Sequence, residues 1–286
     1  MNVDTRILSE RRPAHPRIAE SWGHCRVVCI LVERGPGIPV CLFNPSAPGR
    51  PVIVVHGLQS HSGWFAQACR YIAERGHPVY AFDRMGSGLS CHHGGDLRHH
   101  ADLAREIAKV IDFATSGSLD RRVHLLAHCY GAIPAALFAS RHQDMIRSLV
   151  LASPAIYTNI YLGIRDRLSI MRSLLAGGTA QIPIPYPIEL LTDQLDYLEF
   201  IRSDTLALRS LTSRFLLHVM LARLWLTLGM CILRIPVLVA LAGRDRLAAI
   251  ERPRHSFEGS QEVAFGYRYM GRPCTSWSSA QIGMHS

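Results

Sequence analysis

Lysine is almost missing from this chain. Lys109 is the only one, so arginine carries nearly all of the positive side of a formal net charge of +9 at pH 7. Such one-sided arginine usage reads as the bias of a GC-rich gene. No basic run exceeds the pair Arg121-Arg122, so no nucleic-acid partner is expected. The eight cysteines, at 25, 29, 41, 69, 91, 129, 231 and 274, include no Cys-x-x-Cys pair and no zinc-like spacing. Several lie in apolar patterns, as reduced core thiols do, and a cytoplasmic location is expected. Met1 to Pro13 is polar and has no apolar leader core. The pairs His92-His93 and His99-His100 sit among glycine and charge without ligand spacing and are expected in a solvated loop. No metal site and no cofactor is expected.

A continuous membrane-length apolar run is also missing. Phe215 to Leu233 comes nearest, but His218 and Arg223 interrupt it. An arginine at mid-bilayer costs about 2.5–3.5 kcal/mol even on lenient scales, so no transmembrane segment is expected and the stretch is read as a helix covering a pocket.

What is present is a core-forming chain. It has 286 residues, 48% of them apolar and 19% charged, enough for one large domain or a domain with an insertion. Val27 to Val32 and Pro39 to Phe43 read as strands joined at Gly35-Pro36-Gly37. Pro51 to Val55 is a β-branched run of the kind buried on both faces. Helix and strand patterns then alternate: Trp64 to Arg75, Val79 to Phe82, Leu97 to Thr115, the strand beginning at Val123, a helix to Arg141, and Ser148 to Ala152. This order predicts an α/β fold with a doubly wound, mostly parallel sheet. The alternation stops after Ser153-Pro154 and resumes at Pro236 to Leu241. The expected organisation is an N-terminal arm (1–20), a core (21–154), a helical cap (155–233), a second piece of core (234–250) and an aberrant tail (251–286).

The chemistry concentrates at Ala127-His128-Cys129-Tyr130-Gly131, where an apolar strand runs into a small-residue helix. Small residues two before and two after Cys129 are what a tight strand–turn–helix nucleophile elbow requires, normally Gly-x-Ser-x-Gly. Three further segments accompany it in order: His56-Gly57-Leu58, the loop Asp83-x-x-Gly86-x-Gly88-x-Ser90, and Gly243-x-Asp245 after a strand. Together they resemble the α/β-hydrolase superfamily, and within it the monoacylglycerol lipase/lysophospholipase branch, often labelled serine aminopeptidase-like. The resemblance implies Cys129 as nucleophile, the backbone N–H groups of Leu58 and Tyr130 as oxyanion hole, and Asp245 as the acid that orients a histidine. Asp83 and Ser90 would shape their loop. It also implies a small acyl ester or thioester substrate. The cysteine departs from the branch's serine. Dienelactone hydrolases and polyhydroxyalkanoate synthases are relatives with a cysteine elbow. A helix beginning at Gly131 would help to form the thiolate. Ester hydrolysis, thioesterase or acyltransferase chemistry, and a non-catalytic remnant all remain open.

The last shortage is of a histidine. In this family it follows the acid by about thirty residues and one more strand and helix. His255 comes ten residues after Asp245, too soon for those elements. His285 comes forty residues after it and is the penultimate residue. Arg252 to Ser279 has no apolar period, so the last strand and helix are expected to be missing or out of frame. Reverse translation of Tyr269 to Ser279, read two bases later, can encode Tyr-Gly-Ala-Ala-Leu-His-Ile-Leu-Glu-Phe, with the triplet straddling Cys274 and Thr275 restricted to His or Tyr. That segment closely resembles the family's surroundings of its histidine. A frame shift between Leu247 and Arg254 is therefore expected.

Overall fold

The computed structural model describes residues 16–32, 37–90, 94–160, 162–228, 232–243, 245–248 and 263–268. Helix α1 (Pro16–Trp22) leads into a hairpin, β1 (Arg26–Ile30) and β2 (Ile38–Phe43). Then come β3 (Val52–Val55), a 3-10 turn (Ser62–Phe65), α2 (Ala66–Ala73) and β4 (Val79–Phe82). Helix α3 (His100–Ala114), β5 (Val123–His128), α4 (Ala132–Arg141) and β6 (Ile146–Ala152) complete this half. The eight strands stand in the order β1-β2-β4-β3-β5-β6-β9-β10, where β9 is Val237–Ala242 and β10 is Val263–Arg268. Only β1/β2 and β2/β4 pair antiparallel; the other neighbours run parallel. Val52 to Val55 are all buried, as a central strand covered on both faces must be.

Between β6 and β9 the chain forms α5 (Ile164–Leu175), α6 (Leu195–Ser203) and α7 (Ser213–Thr227). It also forms a small antiparallel ribbon, β7 (Gln181–Pro183) with β8 (Ser210–Thr212), where a purely helical insertion was expected. Strands of three residues are too short to leave a periodic signature. Two carboxylates fasten this insertion to the core. Gly63 N–H donates to His61 Nδ1 (3.1 Å), so Nε2 carries the ring proton and donates to Asp204 (2.9 Å). Trp64 Nε1 donates to the same oxygen (2.6 Å). At the other clasp Asp96 accepts from Thr212 Oγ1 (2.8 Å) and is forked by Arg214. No helix among the described residues is long and apolar enough to cross a membrane.

Three expectations need correction. The end of the expected N-terminal arm is helical: α1 buries Trp22 beside α2, and Glu20 pairs with Arg70. Of the pair His99-His100, His99 is exposed as expected but not idle, and His100 is half-buried and already helical. His99 caps α3, accepting from Ala101 N–H (3.1 Å), and its ring stacks on His100, with His218 of α7 tilted beside both. His92 and His93 lie outside the described residues. Finally, one strand lies where the last strand and helix were expected to be missing or out of frame. Val263–Arg268 pairs in parallel with β9, and half-buried Val263 packs on the core. An edge strand needs a backbone ladder and one apolar face, so Val-Ala-Phe-Gly-Tyr-Arg suffices without a β-branched run. His255, His285 and the stretch from Tyr269 onward lie outside the described residues.

Candidate active site

Cys129 follows β5 with φ +51°, one of three non-glycine residues with positive φ among those described. A non-glycine residue in that region carries strain of order 1–3 kcal/mol, which persists only where neighbours enforce it. Here they do. A Cβ on Gly131 would lie 2.5 Å from the His56 carbonyl oxygen and 2.6 Å from that of Val55, so the helix start can press on β3 only as glycine. Ala127 is fully buried. A 3-10 turn, Cys129–Gly131, passes directly into α4.

The loop after β3 reaches the elbow from the other side. A Cβ on Gly57 would meet Cys129 Cβ, His128 Nδ1 and Ser60 Oγ, each at 3.3 Å. Arg84, fully buried, holds that loop: Nη2 donates to the carbonyls of Gly57 (3.2 Å) and Leu58 (2.5 Å). Its backbone N–H donates to His56 Nε2 (3.2 Å), which leaves the proton on Nδ1 to donate to Gly57 O (2.9 Å). Asp83 shapes the neighbouring loop by accepting from Ser62 N–H and Leu89 N–H, both at 2.7 Å.

Burial pushes the Cys129 thiol up to about 11, with the Asp245 charge adding to the rise. Opposing it are the backbone N–H groups of Tyr130 and Leu58, which act to lower it. Burial thus acts against the helix-assisted thiolate that the sequence led us to expect. Asp245 follows β9 and takes up its position through Asp245 N–H to Ala242 O (3.0 Å). Its Oδ1 accepts from the N–H groups of Leu247 (2.9 Å) and Ala248 (2.8 Å). Its charge also reaches His128, which burial nevertheless pushes down to about 4, so that ring is neutral near pH 7. No histidine lines the cavity over Cys129 among the described residues.

That cavity measures about 840 Å³ out to its open mouth. Leu58, Tyr130, Ile133, Leu216 and Val219 contribute to its apolar wall. Sequence reading missed two of its polar lining residues. Tyr186 stands among Pro183, Pro185 and Pro187, and burial raises its hydroxyl far above the ordinary range. Arg223 was noticed only as an obstacle to a membrane span; it lines the cavity from α7.

A strained elbow after a central parallel strand, an acid after β9 and an apolar cavity above define the α/β-hydrolase class. The family model of serine aminopeptidase, S33, matches residues 46–264, and the chain belongs to that family. The chain is 28% identical over 145 residues to a probable lysophospholipase L2 of Haemophilus influenzae, covering 48% of this chain and 45% of that protein. It is 30% identical over 122 residues to the uncharacterized protein YnbC of Escherichia coli, covering 40% and 20%. The chain thus spans less than half the length of these curated relatives. A monoacylglycerol lipase of Paleococcus ferrophilus shares the fold at TM-score 0.71 and 20% identity, covering 82% of this chain and 89% of that one. A monoglyceride lipase of Saccharomyces cerevisiae gives 0.72 at 14%, covering 86% of each.

Proposed function

We propose that this chain is a hydrolase of small acyl esters or thioesters that uses Cys129 as its nucleophile. The observation that carries this reading is the strained Cys129 elbow at the floor of an apolar cavity that Leu58 and Tyr130 also line, their amides being the candidates for the oxyanion hole. In the reaction the thiolate adds to the acyl carbonyl carbon, and both amides receive the oxyanion. The tetrahedral adduct expels the alcohol or thiol, which takes the proton surrendered by Cys129. Water then releases the acid from the thioester and regenerates the thiol. Both proton transfers need a base, and Asp245 is suited to orient one on a histidine supplied from beyond β10. Parallel pairing with β9 brings the chain out of β10 at the same end of the sheet as Cys129 and Asp245.

One observation favours a second reading. A thiol at about 11 with no histidine in the described lining is protonated and slow, as in a non-catalytic remnant of a hydrolase whose gene lost its frame. Release of p-nitrophenol from an acyl ester, abolished in Cys129→Ala, supports the hydrolase. Inertness of the purified, folded protein overturns it in favour of the remnant. A transfer product on adding an alcohol or amine would make the chain an acyltransferase.

A further inference from the structure

Arg223 is the one charged side chain among the residues described as lining the cavity over Cys129. Its Nε donates to the Ile156 carbonyl (2.7 Å) and its Nη1 to Thr158 Oγ1 (3.3 Å), which pins one edge of the guanidinium to the chain leaving β6. Among the described residues no carboxylate pairs with it and no acceptor meets Nη2. The contrast with Arg214, on the same helix and forked onto Asp96, is direct. A guanidinium stays protonated at any physiological pH, and one held against an apolar wall without a counter-charge is costly. An anion entering the cavity relieves that cost. A planar guanidinium with one edge committed offers the other to two oxygens of a carboxylate or a phosphodiester. One positive charge in apolar surroundings balances one negative charge, so a phosphomonoester dianion would leave a second charge unmatched.

We propose that the cavity selects acyl esters or thioesters that carry a single negative charge, a carboxylate or a phosphodiester, away from the reacting carbonyl, and that Arg223 receives it. This rests on the reading of the cavity over Cys129 as the substrate site. The two sources of the anion differ in kind: an acyl group ending in a carboxylate, or a lipid headgroup with a phosphodiester.

The test is equilibrium binding to Cys129→Ala protein by calorimetry, with monomethyl suberate and dimethyl suberate as probes of nearly equal shape that differ by one charge. The monoanion should bind about tenfold tighter or more, a preference that added salt weakens. Arg223→Gln should abolish the preference and Arg223→Lys keep part of it. Lysophosphatidylglycerol, titrated below its micelle concentration against both proteins, asks the same of a phosphodiester. An Arg223-dependent gain with either anion supports the proposal, and the probe that gains identifies the source. Equal affinity of both suberates together with no Arg223 effect on the phospholipid overturns it, as does a preference that survives Arg223→Gln. Because the thiol is absent, the outcome is independent of turnover. Charge-selective binding by a protein that proves inert leaves this inference standing and removes the hydrolase. Turnover without charge selection does the reverse.

Discussion

The two halves of the candidate site are built differently. The elbow and the loop after β3 meet so closely that Gly131 has no room for a side chain against backbone carbonyls, and a Cβ on Gly57 would be tight against three side chains. The acid half rests on one short turn after β9, and its Asp245 carboxylate spends one oxygen on two backbone amides. A nucleophile position set by strand pairing and glycine persists whatever follows in the chain. A base supplied by a side chain from beyond the last strand does not. The elbow is therefore a record of the fold, and the proposed turnover would depend on the far end of the sequence.

The largest expected effect restores the weaker half. Reading the gene two bases later from between the codons for Leu247 and Arg254 should raise ester turnover by about 10⁴-fold or more, the scale set by removing a triad histidine. A stop codon, or a triplet other than histidine across the Cys274 and Thr275 codons, would end the frame-shift proposal. Next, breaking the stronger half with Gly131→Val should cost about 3 kcal/mol or more, because the new Cβ falls within 2.6 Å of two carbonyl oxygens. Urea denaturation measures this, and an unchanged midpoint would show that β3 and α4 do not press together there.

A third experiment probes the thiol itself. With Cys129 at about 11, its alkylation by iodoacetamide near pH 7 should be about 100-fold slower than that of an ordinary free cysteine. The rate should rise about tenfold per pH unit up to that value, since only the thiolate reacts. A plateau reached below about pH 9, followed by mass spectrometry of the Cys129 peptide, would contradict the burial argument. The smallest effect lies in the core. Burial pushes the Glu106 carboxyl up to about 8, partly offset by Met85 N–H and the Arg84 charge. A carboxyl raised on folding contributes stability that is complete below its unfolded value near 4.5 and is lost as pH rises through about 8. Glu106→Gln should thus match the parent within about 1 kcal/mol near pH 5 and lack its decline towards pH 8. Parallel stability–pH curves for the two proteins would refute the raised carboxyl.

Much of the stronger half was legible in the sequence. A β-branched run marked β3, an apolar run marked β5, Gly35-Pro36-Gly37 marked the β1/β2 hairpin, and small residues around Cys129 marked the elbow. These signals are local, because a tight turn or a doubly covered strand restricts the residues that form it. What escaped was tertiary. Strand β10 lies at the sheet edge and needs little apolar content, and β7 and β8 are stabilised by each other. That the His99 and His100 rings meet His218, more than a hundred residues away, no local pattern encodes. The elevated thiol likewise follows from how deeply the insertion covers Cys129, and no residue type at position 129 encodes that depth.

The two carboxylate clasps at Asp204 and Asp96 have a consequence for how such a molecule handles what it meets. A roof pinned to the core at two points close together in its own sequence is held in place there, and the wall beneath it bears on which guests are kept. In a scaffold of this kind a new diet comes from repainting the inner wall one side chain at a time, while the frame stays as it is.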